Sequence, residues 1–143
     1  MESTKEFQEE TRRYFDRVAE DYDASYDGRF VRCMYREVVR RAVSLPGDRV
    51  LDLGCGNGNL IRMLREVKRA SCWGADLSPQ MIREAGKNLG DKVNLAVADA
   101  AALPYGDGQF DIVICNASFH HYTEPERAVE EIRRVLRTGG TLI

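Results

Sequence analysis

The sequence lacks a long apolar run, a secretory leader and an excess of either charge. Its apolar stretches are short, such as Ile112–Cys115, whereas a bilayer-spanning helix needs about 20 consecutive apolar residues. The first six residues, MESTKE, are too polar for a signal peptide. The formal net charge of -2 gives no overall attraction to nucleic acid. We therefore predict a cytoplasmic protein with no membrane insertion and no nucleic-acid partner.

Cysteine and histidine are scarce and poorly arranged for binding metal. The four cysteines, at positions 33, 55, 72 and 115, form no CxxC pair, and a zinc site needs clustered ligands. The two histidines, His120 and His121, are adjacent and have no cysteine near them in sequence. We predict structural thiols and no metal site.

Apolar periodicity divides the chain into two parts. Residues 1–46 carry two amphipathic helices, in which apolar and aromatic side chains recur every three or four positions. Gly28 is expected to separate them. From residue 47 onward, short apolar strands alternate with helices. The predicted strands are 49–53, 71–77, 92–98, 110–116 and one beginning at 141, and the predicted helices between them are 60–68, 79–89 and 124–137.

This alternation predicts an α/β fold with a doubly wound parallel sheet. Strands that are apolar on both faces are typical of a sheet covered by helices on both sides, and right-handed crossovers wind it in two directions. A chain of 143 residues suits one domain. We assign residues 1–143 to a single domain, with an N-terminal helical segment (1–46) and a ligand-binding core (47–143).

Chemistry-bearing residues follow the first three predicted strands. Gly54, Gly56 and Gly58 form a loop after strand one, and glycine lets a backbone turn sharply and approach a ligand. Asp76, at the end of strand two, suits the two hydroxyls of a ribose. Asp99, at the end of strand three, is placed to accept from an exocyclic amine. These features predict a nucleoside-containing ligand without choosing a family, since dinucleotide sites share the first two.

Taken together, the motifs resemble class I S-adenosylmethionine-dependent methyltransferases. VLDLGCGNG, GADLSPQMI, VADAAALPYGDGQFDIVICNASFHHY and RRVLRTGGTLI occur in the family's order and spacing. FDRVAEDYD near the N-terminus is similar to the opening of the small-molecule branch that includes ubiquinone and menaquinone methyltransferases. The resemblance covers nearly the whole chain. It implies a Rossmann-like sheet of strand order 3-2-1-4-5, S-adenosyl-L-methionine as cofactor, and in-line methyl transfer to a small-molecule acceptor that the sequence does not name.

The resemblance also implies roles for individual residues. Asp76 would hold the ribose hydroxyls, and Asp99 would accept from the adenine amine. Asn116 and His121 would lie at the methyl-transfer site, where His121 is a candidate general base because its ordinary pKa is near neutral. A solvated loop histidine is the alternative. The implied cofactor-binding set is Tyr22, Asp52, Gly54, Cys55, Gly56, Gly58, Asp76, Leu77, Met81, Asp99, Ala100 and Asn116.

The resemblance implies a further helix and two further strands after the position matching Ile143, and we expect the sheet of this chain to lack them. Strand five would then leave a sheet edge unpaired. We expect a homodimer through this edge, with a chain swap or an independently folding monomer as the alternatives.

Two other functions stay open at this stage. One is a non-catalytic or weakly active cofactor-binding module. The other is an NAD-dependent oxidoreductase, which is disfavoured because position 59 is asparagine where a GxGxxG loop needs its third glycine.

Overall fold

A computed structural model describes residues 3–143. Five strands form one sheet of order β3-β2-β1-β4-β5, and every neighbouring pair is parallel. The predicted doubly wound topology is therefore confirmed. The strands are β1 (Arg49–Leu53), β2 (Ser71–Asp76), β3 (Asn94–Val97), β4 (Phe110–Ile114) and β5 (Leu136–Leu142), and the helices are α1 (Thr4–Val18), α2 (Tyr26–Ser44), α3 (Asn59–Val67), α4 (Pro79–Leu89) and α5 (Pro125–Val135).

The sheet is apolar on both faces, as the strand composition predicts. Val50 and Ile112, paired across β1 and β4, pack against α2, α3 and α4 on one side. Leu51 and Val113, the next pair in register, pack against α5 on the other. Alternate residues of a strand point to opposite faces, so a continuous apolar strand serves both layers. Each such side chain, once buried, contributes about 1.5–3 kcal/mol.

The order of the strands indicates which edge of the sheet a ligand would occupy. The strand β1 lies between β2 and β4, so the chain winds outward from β1 in one direction through β2 and β3 and in the other through β4 and β5. In sheets of this kind, ligands bind beyond the carboxyl ends of the strands where the winding reverses. The loops after β1, β2, β3 and β4 therefore meet at one place.

The second helix begins earlier than predicted. We expected Gly28 to break the chain, but Gly28 lies in the first turn of α2 and is buried there. The Oγ atom of Ser25 caps this turn by accepting from the Gly28 amide at 3.0 Å. A Cβ atom at position 28 would collide with the carbonyl of Tyr22. The glycine therefore permits close packing of the chain rather than ending a helix.

The last helix and strand also differ from their predicted bounds. The helix α5 ends at Val135 rather than Arg137, and β5 begins at Leu136 rather than residue 141. Leu136 pairs with Phe110, and Thr141 pairs with Ile112, so the strand bulges between these two positions. Gly139 has φ = +78° inside the bulge, a backbone conformation that glycine adopts readily. A β-bulge thus absorbs the residues that we took for a helix end.

The strand β5 is an outer strand of the described sheet, and the homodimer expected at this edge stays a prediction. Within residues 3–143, no helix is both long and apolar enough to cross a bilayer.

Candidate active site

A cavity opens at the carboxyl edge of the sheet, between the strand ends and the N-terminal segment. All of the residues predicted from the resemblance line it except Gly58. The fold therefore brings these predicted residues together in one place. The contacts of these residues with a cofactor stay predictions. The lining residues that sequence reasoning missed are Gln8, Thr11, Phe15, Val31, Tyr35, Leu53, Leu60, Ala75, Ala98, Ala117, Ser118, Tyr122 and Thr123.

The glycine loop after β1 is held to the end of β2 by backbone hydrogen bonds. The amides of Gly54 and Cys55 donate to the Ala75 carbonyl at 2.8 and 3.0 Å, and the Gly56 amide donates to the Asp76 carboxylate at 2.9 Å. Gly54 and Gly56 both have positive φ, at +77° and +53°. This loop therefore needs glycine for its conformation, as its sequence predicts.

Gly58 lies outside the cavity and is buried at the start of α3. It has φ = +86° and occupies the N-cap position of that helix. A Cβ atom built there would lie 2.6 Å from Cδ1 of Leu89. The position of Gly58 indicates that it serves the packing of α3 against α4 and not the lining of the cavity.

Asp52 is a buried carboxylate at the floor of the cavity. Asp52 is only 3% exposed, and within residues 3–143 no group donates a hydrogen bond to its side chain. Burial, with a smaller contribution from the nearby Asp76 carboxylate, raises the pKa of Asp52 to about 7. A buried carboxylate without donors is costly, so this site favours a ligand that brings a hydrogen-bond donor or a positive charge.

The other two acids point along the same edge. The Asp76 carboxylate accepts from the amides of Gly56 and Ser78, each at 2.9 Å, and burial raises its pKa. The Asp99 carboxylate accepts from the Ala101 amide at 2.9 Å. Backbone amides therefore fix the orientation of both carboxylates at the cavity wall.

The N-terminal segment covers the cavity through polar contacts that sequence reasoning missed. Gln8 Nε2 donates to Asp99 at 2.6 Å. Asp16 accepts from the Ser78 hydroxyl at 2.5 Å and lies at the first turn of α4. The lining residues Gln8, Thr11 and Phe15 recur at three- and four-residue spacing, so they share one face of α1. This spacing could have predicted that the three residues share a face. It does not reveal what that face contacts.

A second attachment joins the turn after α1 to the glycine loop. Asp23 Oδ1 accepts from the side-chain amides of Asn57 and Asn59 at 2.8 and 2.7 Å. Both asparagines are buried, at 6% and 5% exposure. One carboxylate oxygen thus satisfies two buried donors that flank Gly58.

Replacing Asp23 with alanine is expected to leave both buried amides without their acceptor. The predicted loss is about 1–3 kcal/mol of unfolding free energy, which is the cost of unsatisfied buried donors. Urea denaturation measures it. Asp21→Ala is the matched control, because Asp21 is exposed and its side chain makes no capping hydrogen bond. Equal denaturation midpoints for the two variants would contradict the role given to Asp23.

The loop after β4 forms the opposite wall. The hydroxyl of Ser118 donates to the Leu53 carbonyl at 3.0 Å and lies 3.0 Å from the Tyr122 hydroxyl. Ala117 has φ = +53°, which is uncommon for a residue with a Cβ atom. Asn116 is half-buried and lines the cavity. These contacts pin the loop to the end of β1.

His121 packs against the N-terminal segment. Its ring lies 5.1 Å from that of Phe15 in an edge-to-face arrangement. Burial, with a smaller effect from neighbouring His120, lowers the pKa of His121. The imidazole is therefore largely uncharged at neutral pH and retains a nitrogen that can accept a proton.

Comparison with known proteins agrees with this site. A family model described as "Methyltransferase domain" matches residues 51–143. The chain belongs to this family. The match runs from β1 through β5, so it includes Asp52, Asp76 and Asp99 together with the loop after β4. The predicted membership among class I methyltransferases is thereby confirmed.

Curated relatives of this methyltransferase domain differ in the substrates that they name. The chain is 40% identical over 112 residues to a demethylmenaquinone methyltransferase of Thermus thermophilus, covering 73% of this chain and 51% of that protein. It is 37% identical over 138 residues to a malonyl-[acyl-carrier protein] O-methyltransferase of Geobacter sulfurreducens, covering 90% and 49%. The chain thus spans about half the length of these relatives.

A solved structure extends the similarity to the fold. The methyltransferase in a complex with the Haloferax volcanii Trm112 methyltransferase activator superposes with a TM-score of 0.77 at 31% identity. The superposition covers 92% of this chain and 57% of that one.

Proposed function

We propose that this domain binds S-adenosyl-L-methionine in the cavity at the carboxyl edge of the sheet and transfers its methyl group to a small-molecule acceptor. The observation that carries the proposal is the Asp52 carboxylate, which is buried at the cavity floor without a donor from residues 3–143. The ammonium group of the cofactor's methionine part would supply that donor and a compensating charge.

The remaining cavity residues fit the other parts of the same cofactor. Asp76 retains acceptor capacity for the two ribose hydroxyls, because a carboxylate offers about four lone-pair positions and backbone amides occupy two. Leu77 and Met81 provide apolar surface for the adenine. Asp99, now bonded to Gln8, can accept from the adenine amine. The Cβ position of Gly56 has no neighbour within 4 Å, which leaves room along the loop.

When bound, the cofactor supplies a sulfonium methyl that a nucleophile can displace. This chain would contribute by holding the methyl donor and the acceptor in alignment. Alignment of two reactants contributes on the order of 7–11 kcal/mol in good model systems. We assign Asn116 to the orientation of the acceptor and His121 to accepting its proton where the nucleophile must lose one, since its imidazole is uncharged at neutral pH.

Calorimetric titration with S-adenosylhomocysteine tests the cofactor site. We expect binding by the native chain and at least about tenfold weaker binding by Asp76→Asn, because hydrogen bonds to a charged group contribute about 1.5–3 kcal/mol. Asp91→Asn is the control, since Asp91 is exposed and does not line this cavity. Binding of NAD without S-adenosylhomocysteine binding would overturn the proposal in favour of an oxidoreductase. Transfer of labelled methyl to a metabolite panel tests activity.

A further inference from the structure

A second cavity adjoins the first and is enclosed by different elements. It lies between the end of α1, the start of α2 and the turn at His120 and His121. Phe15, Tyr22, Val31, Ala117 and His121 line both cavities. The residues found only in the second cavity are Tyr26, Asp27, Phe30 and His120. A molecule in the second cavity would therefore reach the first across His121 and Tyr22.

The lining of the second cavity has little to offer an anion. Among the residues that the structure describes, this lining includes no lysine and no arginine, and its one carboxylate is Asp27. Burial keeps the His121 imidazole largely uncharged. An anionic ligand in this space would lie near a negative charge without a compensating cation, and two like charges several ångströms apart near a protein surface repel by a few kcal/mol.

One oxygen of the Asp27 carboxylate already has a hydrogen-bond donor within the chain. Its Oδ2 atom accepts from the Tyr14 hydroxyl at 2.8 Å. It lies in the first turn of α2, where the helix dipole stabilises a negative side chain. The rest of the lining is mainly aromatic and aliphatic.

We propose that the second cavity is the acceptor site and selects largely apolar molecules without a negative charge, with Asp27 as the residue that rejects anionic acceptors. This inference rests on the proposed function, since it needs a methyl donor in the first cavity. It deepens that function by assigning a substrate class and a residue that excludes anions.

The rim of the cavity agrees with an apolar acceptor. Tyr26 and Phe30 are 75% and 58% exposed, and their rings stack at 6.4 Å with an interplanar angle of 11°. Exposed aromatic rings that border a cavity favour a ligand with a flat or extended apolar part. The two side chains lie one turn apart on α2, so they form one continuous aromatic surface at the rim.

The test uses four probes of one size that differ in charge or shape: 4-methylphenol, 4-methylbenzoate, 4-methylbenzylammonium and 4-methylcyclohexanol. Binding is measured by ligand-observed NMR titration at neutral pH with saturating S-adenosylhomocysteine. We expect the two uncharged probes to bind at least about tenfold more tightly than the benzoate. Binding of the benzoate as tight as that of the uncharged probes would overturn the inference, and so would weaker binding of the ammonium probe than of the benzoate.

Two variants assign the selectivity to named residues. Asp27→Asn keeps an oxygen for the Tyr14 hydroxyl while removing the charge, and we expect it to bring benzoate within about threefold of the phenol. Asp21→Asn removes a charge outside both cavities and should change nothing. Phe30→Ser should weaken phenol binding about tenfold, whereas Phe7→Ser, an exposed phenylalanine outside both cavities, should not.

The binding of S-adenosylhomocysteine separates the two proposals. Asp27 and Phe30 do not line the first cavity, so their variants should bind S-adenosylhomocysteine as the native chain does. Suppose that S-adenosylhomocysteine binds normally but Asp27→Asn and Phe30→Ser do not change the binding of the probes. That result would overturn the acceptor site alone. Loss of S-adenosylhomocysteine binding by the native chain would overturn the proposed function, and the acceptor site with it.

Discussion

Replacing Asp52 with asparagine is expected to make the ligand-free protein more resistant to unfolding at high pH while weakening its hold on S-adenosylhomocysteine. The ordinary pKa of this carboxyl is 3.8, and burial raises it to about 7 in the folded chain. Under the proposed function, Asp52 therefore contributes to cofactor binding and lowers the stability of the ligand-free fold when it is ionised.

The direction of the pH effect follows from proton binding. Between about pH 4 and pH 7 the unfolded chain has Asp52 ionised, whereas the folded chain keeps it protonated. The folded state then binds more protons, so the contribution of Asp52 to stability falls as pH rises through this window. Below pH 4 both states are protonated and the effect vanishes. Above pH 7 the cost is complete, and a shift of this size amounts to at most about 4 kcal/mol.

Urea denaturation of the native chain and Asp52→Asn at pH 4.5 and pH 8 measures this contribution. The unfolding free energy of the variant relative to the native chain should rise by several kcal/mol, at most about 4, between the two values. Taking the difference removes the opposite effect of His121, whose pKa is lowered. Asp91→Asn, the exposed control, should follow the native pH dependence. A pH-independent difference for Asp52→Asn would show that the carboxyl titrates normally.

Alanine at Gly54 and at Gly56 is expected to separate folding from binding. A Cβ atom at Gly54 would lie 2.5 Å from the Cβ of Ser118 and 2.6 Å from its Oγ, so Ser118 would have to leave the Leu53 carbonyl. With the positive φ, we expect Gly54→Ala to cost at least about 3 kcal/mol. At Gly56 nothing lies within 4 Å, so only the backbone cost of about 1–2 kcal/mol remains.

Denaturation and calorimetry on the same samples distinguish the two glycines. Gly56→Ala should stay folded yet bind S-adenosylhomocysteine at least about tenfold more weakly, because its methyl group projects into space at the cavity wall. Gly54→Ala should lose stability first, and the double variant Gly54→Ala/Ser118→Gly should recover part of it, because the colliding side chain is gone. Equal stability of the two single variants would contradict the assigned contacts.

Much of this architecture follows from local pattern. The strand β1 has its predicted bounds, and Ser78 with Pro79 begins α4 as expected, with the Ser78 hydroxyl accepting from the Met81 amide. Asp76 ends β2 as predicted, whereas β3 is shorter than predicted and ends two residues before Asp99. Parallel strands bring their carboxyl ends to one edge, so residues far apart in sequence meet there without any further information.

The contacts of the N-terminal segment lay beyond sequence reasoning. The bond between Gln8 and Asp99 joins residues 91 positions apart, and no spacing rule encodes such a pairing. The role proposed for Asp27 could not be predicted from the sequence either. It depends on the lack of lysine and arginine among the described residues that line a cavity, and three separate segments enclose that cavity. The predicted break at Gly28 is wrong because local propensity disfavours glycine in a helix, whereas close packing against the carbonyl of Tyr22 requires glycine there.

The helix α1 buries none of its own residues, although it covers the cavity through Gln8 and Phe15. Its displacement would uncover Met81 and Tyr22, against which Phe15 and Val18 pack, but would leave both layers of the sheet intact. Local opening of this kind is far less costly than global unfolding. If the proposed function holds, exchange of spent for fresh cofactor would depend on the stability of this outer helix. Amide hydrogens in α1 should then exchange long before those of β1.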